Sequence, residues 1–239
     1  MRYLANKRKD AEGTLLGVLG YEEEPLPDMI PPRALEVTPC DLAQVQTFIE
    51  AHHYSHNTNG VKVTQCFQVT HGERLVGGVV FGPLTTTAWR SYADDEAKVW
   101  ELRRLVLLDC CGRNSESRVV GWVLRWIRNH AKQVEVVVSY ADPAWGHGGT
   151  IYRATNFTYV GLSGADKGYH DPTTGKTYHS RTLRNKYKGT LKPFAAALVA
   201  KLEEGQLDVI ELPGKHTFIY RFDRRLPSIV AHSATAIGG

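Results

Sequence analysis

The sequence of 239 residues lacks any apolar run that approaches the roughly 20 residues of a membrane-spanning helix. No apolar segment follows its basic start, so a secretory signal is not predicted either. Internal repeats and low-complexity segments are also missing. With 42% hydrophobic and 23% charged residues the composition is that of an ordinary globular protein, and we expect a folded cytoplasmic protein with no membrane partner.

The four cysteines contain no CxxC pair, and two of them, Cys110 and Cys111, are adjacent. This spacing suggests neither a four-cysteine zinc site nor a disulfide framework, so reduced thiols are expected. The net charge of +4 is compatible with many classes of protein. The distribution of the basic residues along the chain is therefore more informative than their total.

The chain divides into a proline-rich N-terminal arm, residues 1–33, and a single domain, residues 34–239. Thr38 and Pro39 predict the start of a first helix, because apolar residues follow at helical spacing. A strand at 216–222 follows an insertion, 162–215, that holds a helix at 190–204. The other predicted elements are a hairpin of strands 62–69 and 74–81, a strand 99–108, a helix 115–130, a strand 134–140, a short helix 151–156 and a strand 157–161.

A segment after the valine-rich strand carries Tyr152, Asn156 and Phe157 at a spacing that resembles the GNAT superfamily of N-acetyltransferases. The spacing places Tyr152 one turn before the helix end, and Asn156 suits a left-handed helix stop. The alternative is a simple helix cap followed by a core phenylalanine. Together with the element order, the resemblance implies an α/β (α+β) fold: a mixed central sheet with splayed parallel strands, with the basic insertion before the last strand.

The loop after strand 99–108 departs from that superfamily, which there holds the coenzyme A diphosphate on a glycine-rich turn at a helix N-terminus. Residues 110–118 keep two arginines and two serines but have a single glycine, and they include Glu116. A carboxylate opposes a diphosphate. The loop therefore argues against ordinary coenzyme A binding.

Several segments, in one order from about His52 to Arg224, resemble the Mom DNA-modification proteins of Mu-like bacteriophages. They are 52–56, 101–105, 114–117, 139–142, 146–149, the tyrosine segment and 215–220. The resemblance implies a cytoplasmic enzyme of the infected cell that installs a carbamoylmethyl (acetamido-type) group on N6 of adenine in phage DNA and so blocks restriction. The amine is shielded inside a duplex, so the adenine of the double-stranded DNA must flip out. Residues in or beside these segments are predicted to bind the donor or the substrate: Arg113, Asn114, Ser139, Tyr140, His147 and Asn156.

Five residues are predicted to carry the chemistry. Asp142 follows a buried strand at the edge where open α/β sheets bind ligands, and it is predicted as base or acceptor for the adenine amine, or else as a turn cap. By the resemblance Tyr152 protonates the leaving group; alternatively it only packs. In a regular strand Arg103 and Arg104 face opposite ways, so at least one is expected to bind an anion. Ser117 presents its hydroxyl beside free backbone amides or merely caps a helix.

Three imidazoles and a phenol lie within residues 52–56. If this segment is helical, His53 and His56 share a face, and with Tyr54 they offer ligands to iron or another transition metal. No carboxylate completes a facial triad. The alternative is that the three side chains line a nucleotide or substrate pocket.

The basic stretch 167–192 carries seven lysines and arginines against one acidic residue, with tyrosines interleaved. Such a run is commonly a solvated face, but phosphate contacts and base stacking require the same residue types. We therefore predict a nucleic-acid surface. Its predicted phosphate contacts are Lys176, Arg181, Arg184, Lys186 and Lys188.

The donor is predicted to be glycyl-tRNA or acetyl-CoA. An acetyl group lacks the terminal nitrogen of a carbamoylmethyl group, whereas glycine contains all of the atoms needed. With glycyl-tRNA, tRNA would be a second partner. The alternative functions are a GNAT acyltransferase acting on a small amine or a protein, and a non-catalytic DNA-binding antirestriction protein; the oligomeric state is not predicted.

Overall fold

The structure is a computed structural model that describes residues 26–56, 58, 62–84, 87–143 and 146–223. Most of the predicted N-terminal arm lies outside the described residues. The strands are β1 Glu36–Cys40, β2 Gln65–His71, β3 Arg74–Pro83, β4 Val99–Leu107, β5 Val136–Ala141, β6 Thr158–Leu162, β7 Asp166–Asp171, β8 Lys176–His179, β9 Lys186–Tyr187, β10 Thr190–Leu191, β11 Asp208–Leu212 and β12 His216–Arg221. The α-helices are α1 Leu42–His52, α2 Ser115–His130, α3 Thr150–Ala154, α4 Ser180–Leu183 and α5 Pro193–Glu203.

Seven strands form the main sheet in the order β1-β2-β3-β4-β5-β12-β6. Its neighbouring strands run antiparallel except β4 and β5, which are parallel. That pair is joined only from Val99 to Leu102 on β4, and the two strands then diverge. The predicted fold class, a mixed α/β sheet with splayed parallel strands, is confirmed.

The sheet is covered on both faces. One face packs against α2 around Phe67, Val137 and Phe218, which are fully buried. The other face packs against α1, whose Val45 and Ile49 contact residues of β2 and β3. A strand covered on both faces needs apolar residues at successive positions, which explains the unbroken valine run of β5. Among the described residues, no helix is long and apolar enough to cross a membrane.

The first helix begins later than predicted. Asp41 precedes it, and the Asp41 N–H donates to Gln44 Oε1 at 2.9 Å. Thr38 and Pro39, predicted at the helix start, lie in β1 and pair with β2. Strand pairing outweighs the helix-start signal, and a proline without an N–H is tolerated because β1 is an edge strand of the sheet.

The insertion has a small core of its own. Its strands form a three-stranded sheet in the order β11-β7-β8, and Leu183 of α4 packs with Leu198 of α5 and Leu207. Asp171, at the end of β7, accepts hydrogen bonds from the N–H groups of the following turn and binds Lys201 of α5 at 2.8 Å. The predicted helix is present as α5; the three-stranded sheet was not predicted.

The described end of the predicted arm packs against the main domain. Ile30 is fully buried in the core beside α2. Its N–H donates to Cys110 O at 2.7 Å, and its carbonyl accepts from Gly112 N–H at 2.8 Å. The arm thereby fixes the loop that leads into α2.

Candidate active site

A cavity of about 470 Å³ opens where β4 and β5 diverge. Its walls come from the end of α1, the second half of β4, the end of β5 and residues 146–152. The volume is within the range of small-molecule sites, and the position is where open α/β sheets bind ligands. We take this cavity as the candidate active site.

A β-bulge in β4 determines how two arginines face the cavity. Val80 pairs with Arg104 but Phe81 pairs with Leu102, so Arg103 is the extra residue on β4. Leu102 and Leu105 both pack in the core beside α2, and the two arginines between them lie towards the face that carries α1. The prediction that Arg103 and Arg104 point to opposite faces held only for a regular strand, and the bulge removes that condition.

The arginines lie in a poorly hydrated setting. Arg103 lines the cavity, its guanidinium donates to Pro83 O, and its Nη2 is 3.3 Å from Glu101 Oε2. Burial raises the pKa of Glu101, and burial lowers the pKa of Arg104, with Arg103 adding to that effect and Tyr54 and Glu101 opposing it. Arg103 Nε and Glu101 Oε2 are buried with no hydrogen-bond partner among the described residues. The positive charge of Arg103 at the cavity wall favours an anion in the cavity.

Tyr152 lies where the sequence predicted, at the cavity wall on α3. Its ring contacts Phe157 and Phe218, and burial raises the pKa of its phenol despite a hydrogen bond with Ser139. The phenol is therefore protonated near neutral pH and can donate a proton. Asn156 adopts φ 64°, the predicted left-handed helix stop.

Asp142 follows β5 directly, but it is not among the residues that line the cavity. Its carboxylate is 2.8 Å from Lys215 Nζ, and its side chain is 15% exposed. Its carbonyl accepts from His147 N–H at 3.2 Å. Asp142 is thus held beside the loop that walls the cavity, and its catalytic role stays a prediction.

Residues 146–149, which the sequence marked only through the Mom resemblance, form a glycine-rich wall of the cavity. Gly149 has φ 75°, and a Cβ there would lie 2.1 Å from the Phe218 ring. Arg153 donates to Gly148 O, and its guanidinium lies 5.1 Å from the Phe218 ring centroid. The wall brings His147, a predicted binding residue, to 5.2 Å from the Tyr54 ring centroid. A glycine at positive φ beside a buried aromatic ring is a feature that only the structure reveals.

The proposed metal ligands are not arranged as a metal site. Helix α1 ends at His52, so His53 and His56 do not share a helical face. Ser55 N–H donates to His53 Nδ1 at 3.1 Å, and His56 Nδ1 lies 3.1 Å from Glu50 O. Among the described residues no group of three or more His, Cys, Asp or Glu could hold a metal ion. These residues do not fit iron.

His53 and Tyr54 instead line the cavity, as the alternative interpretation had it. A backbone N–H can only donate, so its bond to His53 Nδ1 assigns the ring proton of the neutral imidazole to Nε2. His53 is 5% exposed, and burial lowers its pKa to about 4. The side chain is a neutral hydrogen-bond donor at ordinary pH.

The loop before α2 does not fit a diphosphate. Gly112 N–H is engaged by Ile30 O, and the Ser117 hydroxyl donates to Asn114 O at 3.0 Å. Glu116 contributes its side chain to the cavity wall. Arg113 and Asn114 are exposed and do not line the cavity, whereas Ser139 lies beside the Tyr152 phenol and Tyr140 lines the wall.

The five predicted phosphate contacts are spread over three elements. Lys176 lies on β8 and Arg181 on α4, and Arg184 follows α4 directly. Arg184 Nη2 donates to Ser180 Oγ at 3.0 Å, so this side chain has a structural contact within the insertion. Lys186 lies on β9, and Lys188 lies in the turn between β9 and β10.

An open mixed sheet with a ligand-sized cavity between diverging parallel strands is typical of α/β proteins that bind ligands at the carboxyl edge of the sheet. The model of the Mom protein family matches residues 34–235, and the chain belongs to that family. The methylcarbamoylase Mom of Escherichia phage Mu is 33% identical over 156 residues, which are 62% of this chain and 61% of the phage Mu protein. The match thus spans about three fifths of that relative.

Solved structures with a similar overall fold include acetyltransferases. YncA of Salmonella typhimurium, solved with acetyl-CoA, is 9% identical with a TM-score of 0.46, and the match covers 82% of this chain and 98% of that protein. The spermidine N-acetyltransferase SpeG of Vibrio cholerae is 7% identical with a TM-score of 0.44, and the match covers 79% and 94%.

Proposed function

We propose that this chain is a transferase that installs a carbamoylmethyl group on N6 of adenine in double-stranded phage DNA and so protects that DNA from restriction. One observation carries the proposal. In a member of the Mom family, a cavity of about 470 Å³ brings together a protonated phenol and an arginine, with aromatic side chains in its walls.

The cavity suits an extruded purine. Tyr54 offers a ring for stacking, and the Nε2–H of His53 can donate to a ring nitrogen of the base or to a carbonyl of the donor. An acyl transfer also develops negative charge on the carbonyl oxygen. Arg103, which lines the cavity, can stabilise that charge.

Proton transfer requires a donor and an acceptor. Tyr152 is suited to give its proton to the leaving oxygen, because burial keeps the phenol protonated near neutral pH. Asp142, beside the glycine-rich wall, is our proposed acceptor for the amine hydrogen. Its ion pair with Lys215 keeps the carboxylate next to the cavity wall while the adenine enters.

The loop before α2 favours glycyl-tRNA over acetyl-CoA as the donor, since Gly112 N–H is already bound to Ile30 O and the Glu116 carboxylate opposes a diphosphate. Adenine N6 would attack the glycyl ester, forming a C–N bond, and the tRNA hydroxyl would leave with a proton. The amine of the transferred glycyl group would then attack C6 of adenine through a five-membered ring. Breaking the original C6–N bond leaves an N6-linked glycinamide, which is the carbamoylmethyl group.

Mass spectrometry of DNA nucleosides from cells that express the protein tests the proposed function. We expect a carbamoylmethyl adenine from the wild type, strong loss of it in Tyr152→Phe and in Asp142→Asn, and no loss in the control Tyr169→Phe, which alters the insertion core. Unmodified adenine in wild-type cells would contradict the activity. Full protection from restriction in Tyr152→Phe and Asp142→Asn would indicate a non-catalytic DNA-binding protein.

Isotope labelling tests the donor separately. Purified protein is incubated with DNA and with either glycyl-tRNA labelled in glycine or labelled acetyl-CoA. Transfer of label from the tRNA alone is expected. Label from acetyl-CoA alone would restore the coenzyme route and reject our reading of the loop before α2.

A further inference from the structure

A short hairpin in the insertion presents an aromatic ring to solvent. Tyr187 of β9 pairs with Thr190 of β10, and only one further residue pair completes the hairpin. The ring of Tyr187 is 66% exposed, and Lys188 Nζ lies 5.6 Å from its centroid. A large aromatic side chain in this position contributes little to the fold.

The hairpin is nevertheless held in a defined shape. Lys188 and Gly189 have φ 48° and 84°, the two positive values of a type I′ turn. Lys188 accepts this conformation although asparagine, aspartate or glycine is preferred there. At its base the hairpin is closed by Lys192 N–H donating to Asn185 O at 3.0 Å, directly between α4 and α5. Two helices of the insertion core therefore fix an element too short to be stable alone.

The charged residues that precede and follow Tyr187 in the sequence have one sign. From residue 172 to residue 202 the chain holds seven lysines and arginines and no acidic residue. Among the residues that the structure describes, no ion pair joins Lys186, Lys188 or Lys192 to a carboxylate. An exposed aromatic ring between unpaired cations suits a polyanion with exposed rings, because phosphates take the cations and a base stacks on the ring.

We propose that the β9–β10 hairpin is a DNA-contacting element in which Tyr187 stacks on a base left without its partner when the target adenine is extruded. Lys186 and Lys188 contact the flanking phosphates. This inference rests on the proposed function, since an adenine that enters the cavity must leave an opposing base unpaired. The hairpin thereby stabilises the open duplex, in addition to the general charge attraction of the insertion.

Binding to two DNA duplexes of one sequence tests the stacking role. One duplex is fully paired, and the other has a mismatched base opposite the adenine, so that the adenine and the opposing base are both unpaired. Wild type is expected to prefer the second duplex, and Tyr187→Ala is expected to reduce the preference about tenfold, which corresponds to about 1.4 kcal/mol. Tyr187→Phe, which keeps the ring, should retain the preference. Val209→Ala, another exposed apolar site in the insertion, should also retain it.

The lysines are tested by salt dependence. Lys188→Ala is expected to weaken binding to both duplexes alike and to lower the slope of log affinity against log salt by about 0.9, the value for one phosphate contact. Equal preference for the unpaired adenine in wild type and Tyr187→Ala would overturn the stacking role. A loss of tRNA binding without a loss of DNA binding in that variant would also overturn it, in favour of an RNA contact.

The hairpin and the proposed function can fail independently. In one outcome, cells that express wild type and cells that express Tyr187→Ala yield equal amounts of carbamoylmethyl adenine, and the two proteins show the same duplex preference. That result would reject only the proposed role of the hairpin. A tenfold loss of preference in Tyr187→Ala together with unmodified DNA in wild-type cells would support the hairpin and reject the activity.

Discussion

Replacing His53 by glutamine is expected to make the protein less sensitive to mild acid. Burial is the largest cause that lowers the pKa of His53, from 6.5 to about 4, and the nearby charges of Arg104, His147 and His56 act in the same direction. The unfolded chain therefore binds a proton at a higher pH than the folded protein does. His53 accordingly stabilises the fold fully only above about pH 6.5, and this contribution is lost as the pH falls towards 4.

The two pKa values set the size of the effect. Between pH 7 and pH 5 the proton uptake by the unfolded state lowers the free energy of unfolding by about 2 kcal/mol through His53 alone. His53→Gln removes this proton site, while its side-chain amide can still accept the Ser55 N–H bond. The free energy of unfolding of the wild type should thus fall by about 2 kcal/mol more than that of His53→Gln between these two pH values. This difference does not depend on how much stability the substitution costs at pH 7.

Urea denaturation followed by tryptophan fluorescence at pH 7, 6 and 5 measures the difference. The matched control is His130→Gln, at the exposed end of α2, which should keep the pH dependence of the wild type. An identical fall in stability for wild type and His53→Gln would refute the reasoning, because it would mean that folding does not change the proton affinity of His53.

Two further predictions concern the glycine-rich wall and the insertion. Gly149→Ala should cost about 2–4 kcal/mol in a urea denaturation, because a positive φ and the Phe218 ring both oppose a Cβ, whereas the neighbouring Gly148→Ala, with open space around it, should cost little. Binding to Lys201 helps to lower the pKa of Asp171 to about 2, so the wild type should lose stability as the pH falls from about 4 to 2. Asp171→Asn should abolish this part of the pH dependence, as measured by the free energy of unfolding in an acid titration.

The elements that the sequence predicted well are those decided by local pattern. Helix α2 has the predicted bounds because its apolar residues recur at helical spacing against one face of the sheet. The start of α1 was misplaced because Thr38 pairs with a strand about 30 residues away, which no local pattern reveals. Strands β7 and β8 were missed since their sequences are short and polar and alternate weakly.

The candidate site shows the same division. Tyr152 and Asn156 were found from spacing within one short segment. The bulge at Arg103 depends on the register with β3, and the closure of the loop at Gly112 depends on Ile30, which is far away in the sequence. Such features arise from pairing between distant segments, so residue types could suggest the chemistry but not the orientation of the side chains.

One backbone feature links the opening of the cavity to its charge. The extra residue at Arg103 bends β4 next to the point where pairing with β5 ends, and it also turns both arginines towards the α1 face. Glu101 Oε2 lies 3.3 Å from Arg103 Nη2, and the guanidinium Nε of Arg103 is buried with no hydrogen-bond partner among the described residues. A buried donor left without a partner costs about 1–3 kcal/mol, and the Arg103 side chain puts positive charge at the cavity wall. The same bulge therefore creates both the space for a substrate and the reason to bind negative charge there.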